Sequence, residues 1–219
     1  MSWYEESVVY QVYPLGLCGA PYENDCASEP VSRILQLVDN GWVDHMKRLG
    51  ATCLMLNPVF ESVAHGYDTI DYTVVDRRLG TNDDLRRVVD ACHEAGIKVL
   101  LDGVFNHVGR GFWAFRDVLE RREESPYAGW FNIDFGGENE YGDHLSYETW
   151  QGVPYLVKLN HANFALNDYL PDGAPKLYCT LLLIPRPEGL PEGGTAHFTV
   201  LQLLDGYGTP WVTERDIEY

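Results

Sequence analysis

The side chains best placed to do chemistry lie in the stretch from Lys98 to Gly109, K-V-L-L-D-G-V-F-N-H-V-G. Val99, Leu100 and Leu101 form an apolar run long enough for a buried strand and too short to bury a helix. The run ends in Asp102, and Asn106 and His107 follow after Gly103-Val104-Phe105. A carboxylate, an amide and an imidazole at the end of a strand covered on both faces need hydrogen-bond partners, because leaving them dry and unpaired is costly. Either they satisfy one another and the nearby backbone, or a bound ligand supplies part of what they need. A second polar set, His65-Gly66-Tyr67-Asp68, lies upstream. On its residues alone it reads either as an ordinary polar loop or as part of the same site.

These groups need a scaffold, and the periodicities supply one. Val8 to Tyr13 reads as a first strand, apolar on both faces and stopped by Pro14, as expected for a parallel strand covered on both sides. From Val31 to Leu49, Leu35, Val38, Trp42, Met46 and Leu49 recur at helical spacing; Gly50 is a stop, and Gly41 is a point of bending. Ala51 to Leu56 is a second strand, ending at Asn57-Pro58, and the segment with His65 and Tyr72 is read as a loop. Thr81 or Asn82 caps the next helix. Its apolar stripe is Leu85, Val88, Val89, Cys92 and Ala95, with Asp83 and Asp84 at its positive end and Gly96 closing it. Lys98 to Asp102 is the third strand. Strand and helix alternate, and right-handed crossovers make the sheet parallel, with ligand groups at its carboxyl ends.

After Arg110 the rhythm stops. A short helix is expected from Phe112 to Glu124, then an excursion rich in aromatics, Gly, Asn and carboxylates. A helix from Phe164 to Leu170 follows. Pro and Gly are dense after Pro171, and two apolar runs, Tyr178 to Ile184 and Phe198 to Leu204, are expected to be strands of a hairpin.

The totals set limits. A chain of 219 residues, 45% hydrophobic and 22% charged, is long enough for one domain or one and a half. With 33 acidic against 16 basic residues the formal charge is −17, a field that repels nucleic acid and anionic membranes and leaves a neutral ligand indifferent. The 14 Tyr, eight Phe and six Trp are either core or binding platforms, and composition does not separate these. Cys53 and Cys92 fall on apolar faces and read as reduced core thiols; Cys18 and Cys26 read as paired, as metal ligands or as neither. The start, M-S-W-Y-E-E-S, has no signal-peptide character, and no apolar run approaches spanning length, so a cytoplasmic location is expected.

Three segments then match one family. Y-Q-V-Y-P at Tyr10 to Pro14, H-G-Y-D-T-I-D-Y at His65 to Tyr72 and D-G-V-F-N-H at Asp102 to His107 resemble the α-amylase family of glycoside hydrolases. L-V-K-L-N-H-A-N at Leu156 to Asn163 is similar to the segment by which that family re-enters its barrel. The resemblance implies an α/β fold, a partial (β/α)8 TIM barrel. Its first three β-α units occupy residues 1–109, an inserted subdomain 110–158, the return to the barrel 159–170, and an unrelated, β-rich tail 171–219. It implies substrate-binding roles for five residues. Tyr67 would stack on a sugar ring with His65 and Asp68 beside it, His107 would hydrogen-bond a hydroxyl of that sugar, and Asp102 would orient a catalytic arginine. Asn106 would be structural, or a calcium ligand as in those members that bind Ca2+. Aromatic faces and fixed polar groups suit sugars, whose rings combine C–H-rich faces with hydroxyl rims.

Members of that family cleave α-glucosidic bonds with retention, using two carboxylates. The resemblance places the nucleophile in a G-x-R-x-D segment, the acid on a later Glu and a further Asp after an Asn-His pair. The 219 residues hold no G-x-R-x-D, and Asn160-His161 is followed by Ala162. Asp134, Glu138 and Glu148 lie in the insertion, where solvated carboxylates are the ordinary expectation. The expected function is therefore α-glucan or maltooligosaccharide binding by a truncated or frame-shifted chain that does not cleave by itself. The alternative is a non-catalytic subunit whose barrel a second chain completes. A hydrolase using carboxylates of the insertion is a third reading. Three strands cannot close a barrel of eight, so the third strand's edge needs a cover, from the tail or from a partner.

Overall fold

The computed structural model describes residues 6–170, 180–183, 195–202 and 211–218. Its first elements are Val9–Val12 (β1), a single turn Pro14–Leu17 (α1), Gln36–Asp39 (α2), Trp42–Leu49 (α3) and Cys53–Leu56 (β2). Phe60–Ser62 (β3) and Thr69–Val75 (β4), Asn82–Glu94 (α4) and Lys98–Gly103 (β5) follow. β1 pairs with β2 and β2 with β5, both parallel, with Val12 opposite Leu56 and Leu56 opposite Leu101. This is the expected β-α repeat. Val12, Leu54, Leu56, Val99 and Leu101 share one buried core with Met46 of α3 and Leu85, Val88, Val89 and Cys92 of α4. Side chains alternate along strands, so Gln11 and Asp102, together with Asn57 just past β2, stand on the opposite face.

Three local expectations change. The helix expected over Val31 to Leu49 is a 3-10 turn at Arg33–Leu35 and two helices, α2 and α3. Gly41 separates them at a φ of 73°, where a β-carbon would be strained. The segment read as a loop up to Tyr72 contains β4, which turns back antiparallel on β3. β1 is covered on one edge only among the described residues, and Val8 and Val9 are about half exposed instead of buried on both faces. The cap of α4 is Thr81. Its hydroxyl accepts from the Asp84 amide while the Asp84 carboxylate accepts from the Thr81 amide, a complete capping box.

Beyond β5 come His107–Gly109 (β6), Trp113–Arg121 (α5), Ile133–Asp134 (β7), Ser146–Tyr147 (β8), Thr149–Trp150 (β9), Val153–Lys158 (β10) and Phe164–Tyr169 (α6). The helix expected to reach Glu124 ends as an α-helix at Arg121, before Arg122 at a φ of 59°. β10 runs antiparallel between β6 and β9. Phe112, Phe115, Trp130, Phe131 and Val157 form a second core with Phe105 and Tyr72. These aromatics are therefore packing residues, in a core that the insertion shares with Tyr72, Phe105, Leu159 and Leu166.

Thr180–Leu183 (β11), Thr195–Gln202 (β12) and Trp211–Glu218 (β13) complete the main sheet in the order β1-β2-β5-β11-β12-β13. β11 runs antiparallel to β5, with Thr180 opposite Gly103 and Leu183 opposite Leu100. The expected hairpin is β11 with β12; Tyr178, Cys179, Ile184, Leu203 and Leu204 lie outside the described residues. β13 was not expected. The third parallel strand is thus covered on its free edge by the tail. Cys18, Cys53 and Cys92 are buried free thiols, and Cys26 is free and exposed, so Cys18 and Cys26 are not a disulfide. Burial pushes the Cys53 and Cys92 thiols up to about 12, which keeps them protonated.

Candidate functional site

A row of side chains crosses the carboxyl ends of the parallel strands. Gln11 Nε2 of β1 donates to Asn57 Oδ1 at 2.8 Å. Asn57 Nδ2 donates to the Tyr67 hydroxyl, which in turn donates to Asp102 Oδ2 at 3.2 Å. Every donor in this row points toward the buried Asp102 carboxylate, so each bond polarises the next in the same sense. The strand register sets the row: Met55 is level with both Gln11 and Leu100, which brings Asn57 beside Asp102 two residues further on.

His107 stands behind Tyr67. Its Nε2 meets the Tyr67 carbonyl at 2.9 Å, its Nδ1 faces the Asn106 side-chain amide, and its ring stacks on Trp150 at 5.7 Å and 19°. Burial holds the imidazole down at about 4, so it is neutral near pH 7. The Tyr67 carbonyl can only accept, so Nε2 carries the proton, and the atom facing Nδ1 is Asn106 Oδ1. Both ring nitrogens therefore face protein groups. Asn106 is buried against His107, and its carbonyl accepts from the Leu159 amide at 3.0 Å. Among the described residues no group of three or more His, Cys, Asp or Glu side chains gathers as a metal site.

The loop between β3 and β4 carries His65, Tyr67 and Asp68. His65 Nδ1 accepts from the Tyr67 amide at 3.2 Å and lies 3.6 Å from Asp68 Oδ1. Asp68 is 3% exposed; its Oδ2 accepts from the Ala64 amide at 2.8 Å. β6 passes so close beneath that a β-carbon on Gly109 would stand 2.5 Å from the Asp68 carbonyl. Arg78 pins the same loop from the other side. Its guanidinium donates to the carbonyls of Pro21, Tyr22 and Ala64 and pairs with the fully buried Asp76.

All five residues assigned to substrate binding thus lie in one neighbourhood. Tyr67 touches Asp102 and His107 directly, and His65 and Asp68 brace it from its own loop. Gln11 and Asn57 were missed, although a glutamine inside an apolar strand and an asparagine at a strand end were signals. The insertion's carboxylates are engaged locally. Glu148 bonds Asn132 and Lys158, which hold its carboxyl below the usual range; Glu138 meets His144; Asp134 accepts from the Gly136 amide.

The family described as Alpha amylase, catalytic domain, matches residues 41–158. A cyclomaltodextrinase of a Bacillus species is 33% identical over 183 residues, covering 77% of this chain and 32% of its own length. Neopullulanase 2 of Thermoactinomyces vulgaris is 36% identical over 190 residues, covering 79% and 32%. Among solved structures, the ligand-free cyclic α-maltosyl-(1→6)-maltose hydrolase of Arthrobacter globiformis aligns with a TM-score of 0.64 at 31% identity. That alignment covers 76% of this chain and 40% of that one. The chain spans about a third of the length of the curated relatives it matches.

Proposed function

The chain belongs to the α-amylase family, and from that membership we propose that these residues bind an α-glucan or maltooligosaccharide at the carboxyl ends of β1, β2 and β5 without cleaving it by themselves. The observation that carries this reading is the hydrogen-bonded row Gln11–Asn57–Tyr67–Asp102, which fixes the Tyr67 ring at the position where the family's first three motifs converge. Tyr67 offers its face to a pyranose ring, with His65 and Asp68 at its flank. His107 holds the Tyr67 backbone and keeps its ring at the same wall. Asp102, which the family pattern gives to an arginine, is held here by the Tyr67 hydroxyl. Sequence supports the absence of cleavage: no G-x-R-x-D segment occurs in the 219 residues. The free thiols of Cys18 and Cys26 support a reducing, cytoplasmic setting. Among the described residues no helix is long and apolar enough to cross a membrane.

The test is turnover of maltooligosaccharides and an aryl α-glucoside by size-checked protein, with binding followed in parallel. The expected result is no released reducing sugar, and binding that Tyr67→Ala weakens by about tenfold. Robust turnover, or binding indifferent to Tyr67→Ala, overturns the reading. A second reading, a barrel completed by another polypeptide, draws on the outer edge of β1, which no other described strand covers, and on the half-exposed Val8 and Val9. It predicts that the chain alone self-associates and that a partner restores a defined stoichiometry; a cooperative monomer removes it.

A further inference from the structure

Tyr67 is gripped at both ends of its backbone by a histidine. Its amide donates to His65 Nδ1 at 3.2 Å, and its carbonyl accepts from His107 Nε2 at 2.9 Å. Each of these imidazoles lies against an aromatic ring of the ribbon formed by β9 and β10. The Trp150 ring of β9 stacks on His107 at 5.7 Å and 19°, and the Tyr155 ring of β10 lies 6.0 Å from that of His65. Two neighbouring strands of the insertion thus stand behind one residue of the loop between β3 and β4.

Trp42, Trp113 and Trp130 pack in or against the two hydrophobic cores, whereas Trp150 belongs to neither and is half-buried. Its place is set by a tight turn. Gln151 at a φ of 51° and Gly152 at 76° join β9 to β10, and Trp150 pairs with Val153 across them. Left-handed backbone at both central residues suits the twist of a two-stranded ribbon. A glutamine in that region is strained, so the position of Trp150 is held at a cost. The backbone around His107, by contrast, is fixed without Trp150. The Asn106 carbonyl accepts from the Leu159 amide at 3.0 Å, the Phe105 carbonyl accepts from His161 Nε2 at 2.7 Å, and His107 lies opposite Lys158 in the β6–β10 pair. What that backbone leaves open is the plane of the imidazole, because the outer torsion of a histidine has broad wells. A ring stacked on its face sets that plane, and with it the direction in which Nε2 points.

We propose that Trp150 is a positioning residue for the binding face: by holding the His107 imidazole in plane with the Tyr67 carbonyl, the insertion sets where the Tyr67 ring stands. The proposal rests on the binding reading given above, and the experiment separates the two. The full chain, labelled with 15N at histidine, is compared with Trp150→Phe, which keeps a ring face, and with Trp150→Ala, which removes it. Each variant is checked for an unchanged thermal transition; if Trp150→Ala does not fold, Trp150→Leu, apolar but without a ring face, takes its place. Solvent exchange of the His107 Nε2 proton is followed by NMR without ligand, and maltotriose affinity by calorimetry. The expected result is that Trp150→Ala speeds the exchange by about tenfold or more and weakens maltotriose by about fivefold, while Trp150→Phe stays within about twofold of wild type in both. Unchanged exchange in the ringless variant, or faster exchange with unchanged affinity, overturns the role of Trp150 and leaves the binding reading standing. A wild-type chain that does not bind maltotriose overturns the binding reading, and the ligand-free exchange still decides whether Trp150 holds the ring.

Discussion

His107 shows how one buried side chain ties the proposed site to stability. Its imidazole is held near 4 by burial, against an ordinary value of 6.5. Between those values the unfolded chain binds more protons than the folded one, so stability falls as pH drops through this window and is fully present above it. On this basis the protein loses about 2 kcal/mol between pH 7 and pH 5, a range in which ordinary carboxylates remain largely ionised. Urea unfolding at the two pH values measures the loss. In His107→Gln the slope should flatten, and an unchanged slope would show that the ring is not the group responsible. Tyr67 depends on the same residue, because the His107 Nε2 proton is what anchors its carbonyl.

At the scale of elements, the loop between β3 and β4 keeps its shape through Arg78. Three backbone carbonyls from two separate segments converge on its guanidinium, and Asp76 beside it has no exposure to water. Replacing Arg78 by Met leaves that carboxylate buried and uncompensated, which should cost about 3–5 kcal/mol in denaturant unfolding. Arg78→Lys should rescue little of it, since an ammonium cannot span the same fork of acceptors. A loss below about 1 kcal/mol for the Met variant would mean that the loop is held by β3 and β4 alone. The hairpin itself was hidden in the sequence. β3 has only three residues and the register between β3 and β4 shifts twice, so no clean two-residue alternation marks the pair.

Across the whole molecule, three parallel strands are stabilised on one edge by three antiparallel ones. Without β11 the backbone groups along the outer edge of β5 would be unpaired, a template for association that the chain's −17 charge opposes only at low ionic strength. A chain shortened to Leu170 is therefore expected to aggregate in about 0.15 M salt, as followed by light scattering. If it stays monomeric and unfolds cooperatively, the tail is not what protects that edge.

Much of this protein was legible in its sequence because the signals are local. Apolar spacing at period 3.6 marked α4, the Thr81 cap marked its start, and short apolar runs marked β1, β2 and β5 as parallel strands with polar groups at their carboxyl ends. The motif residues Tyr67, Asp102 and His107 were recognisable for the same reason. What the sequence left open depends on partners far apart in the chain. Gln11 meets Asn57 across 46 residues and Tyr67 meets Asp102 across 35, and only the strand register brings them together. Composition likewise did not separate the aromatics buried in the second core from those left exposed at the surface. Only the tertiary structure decided that the tail pairs with β5, because a strand's own residues specify that it needs a neighbour and not which neighbour it receives.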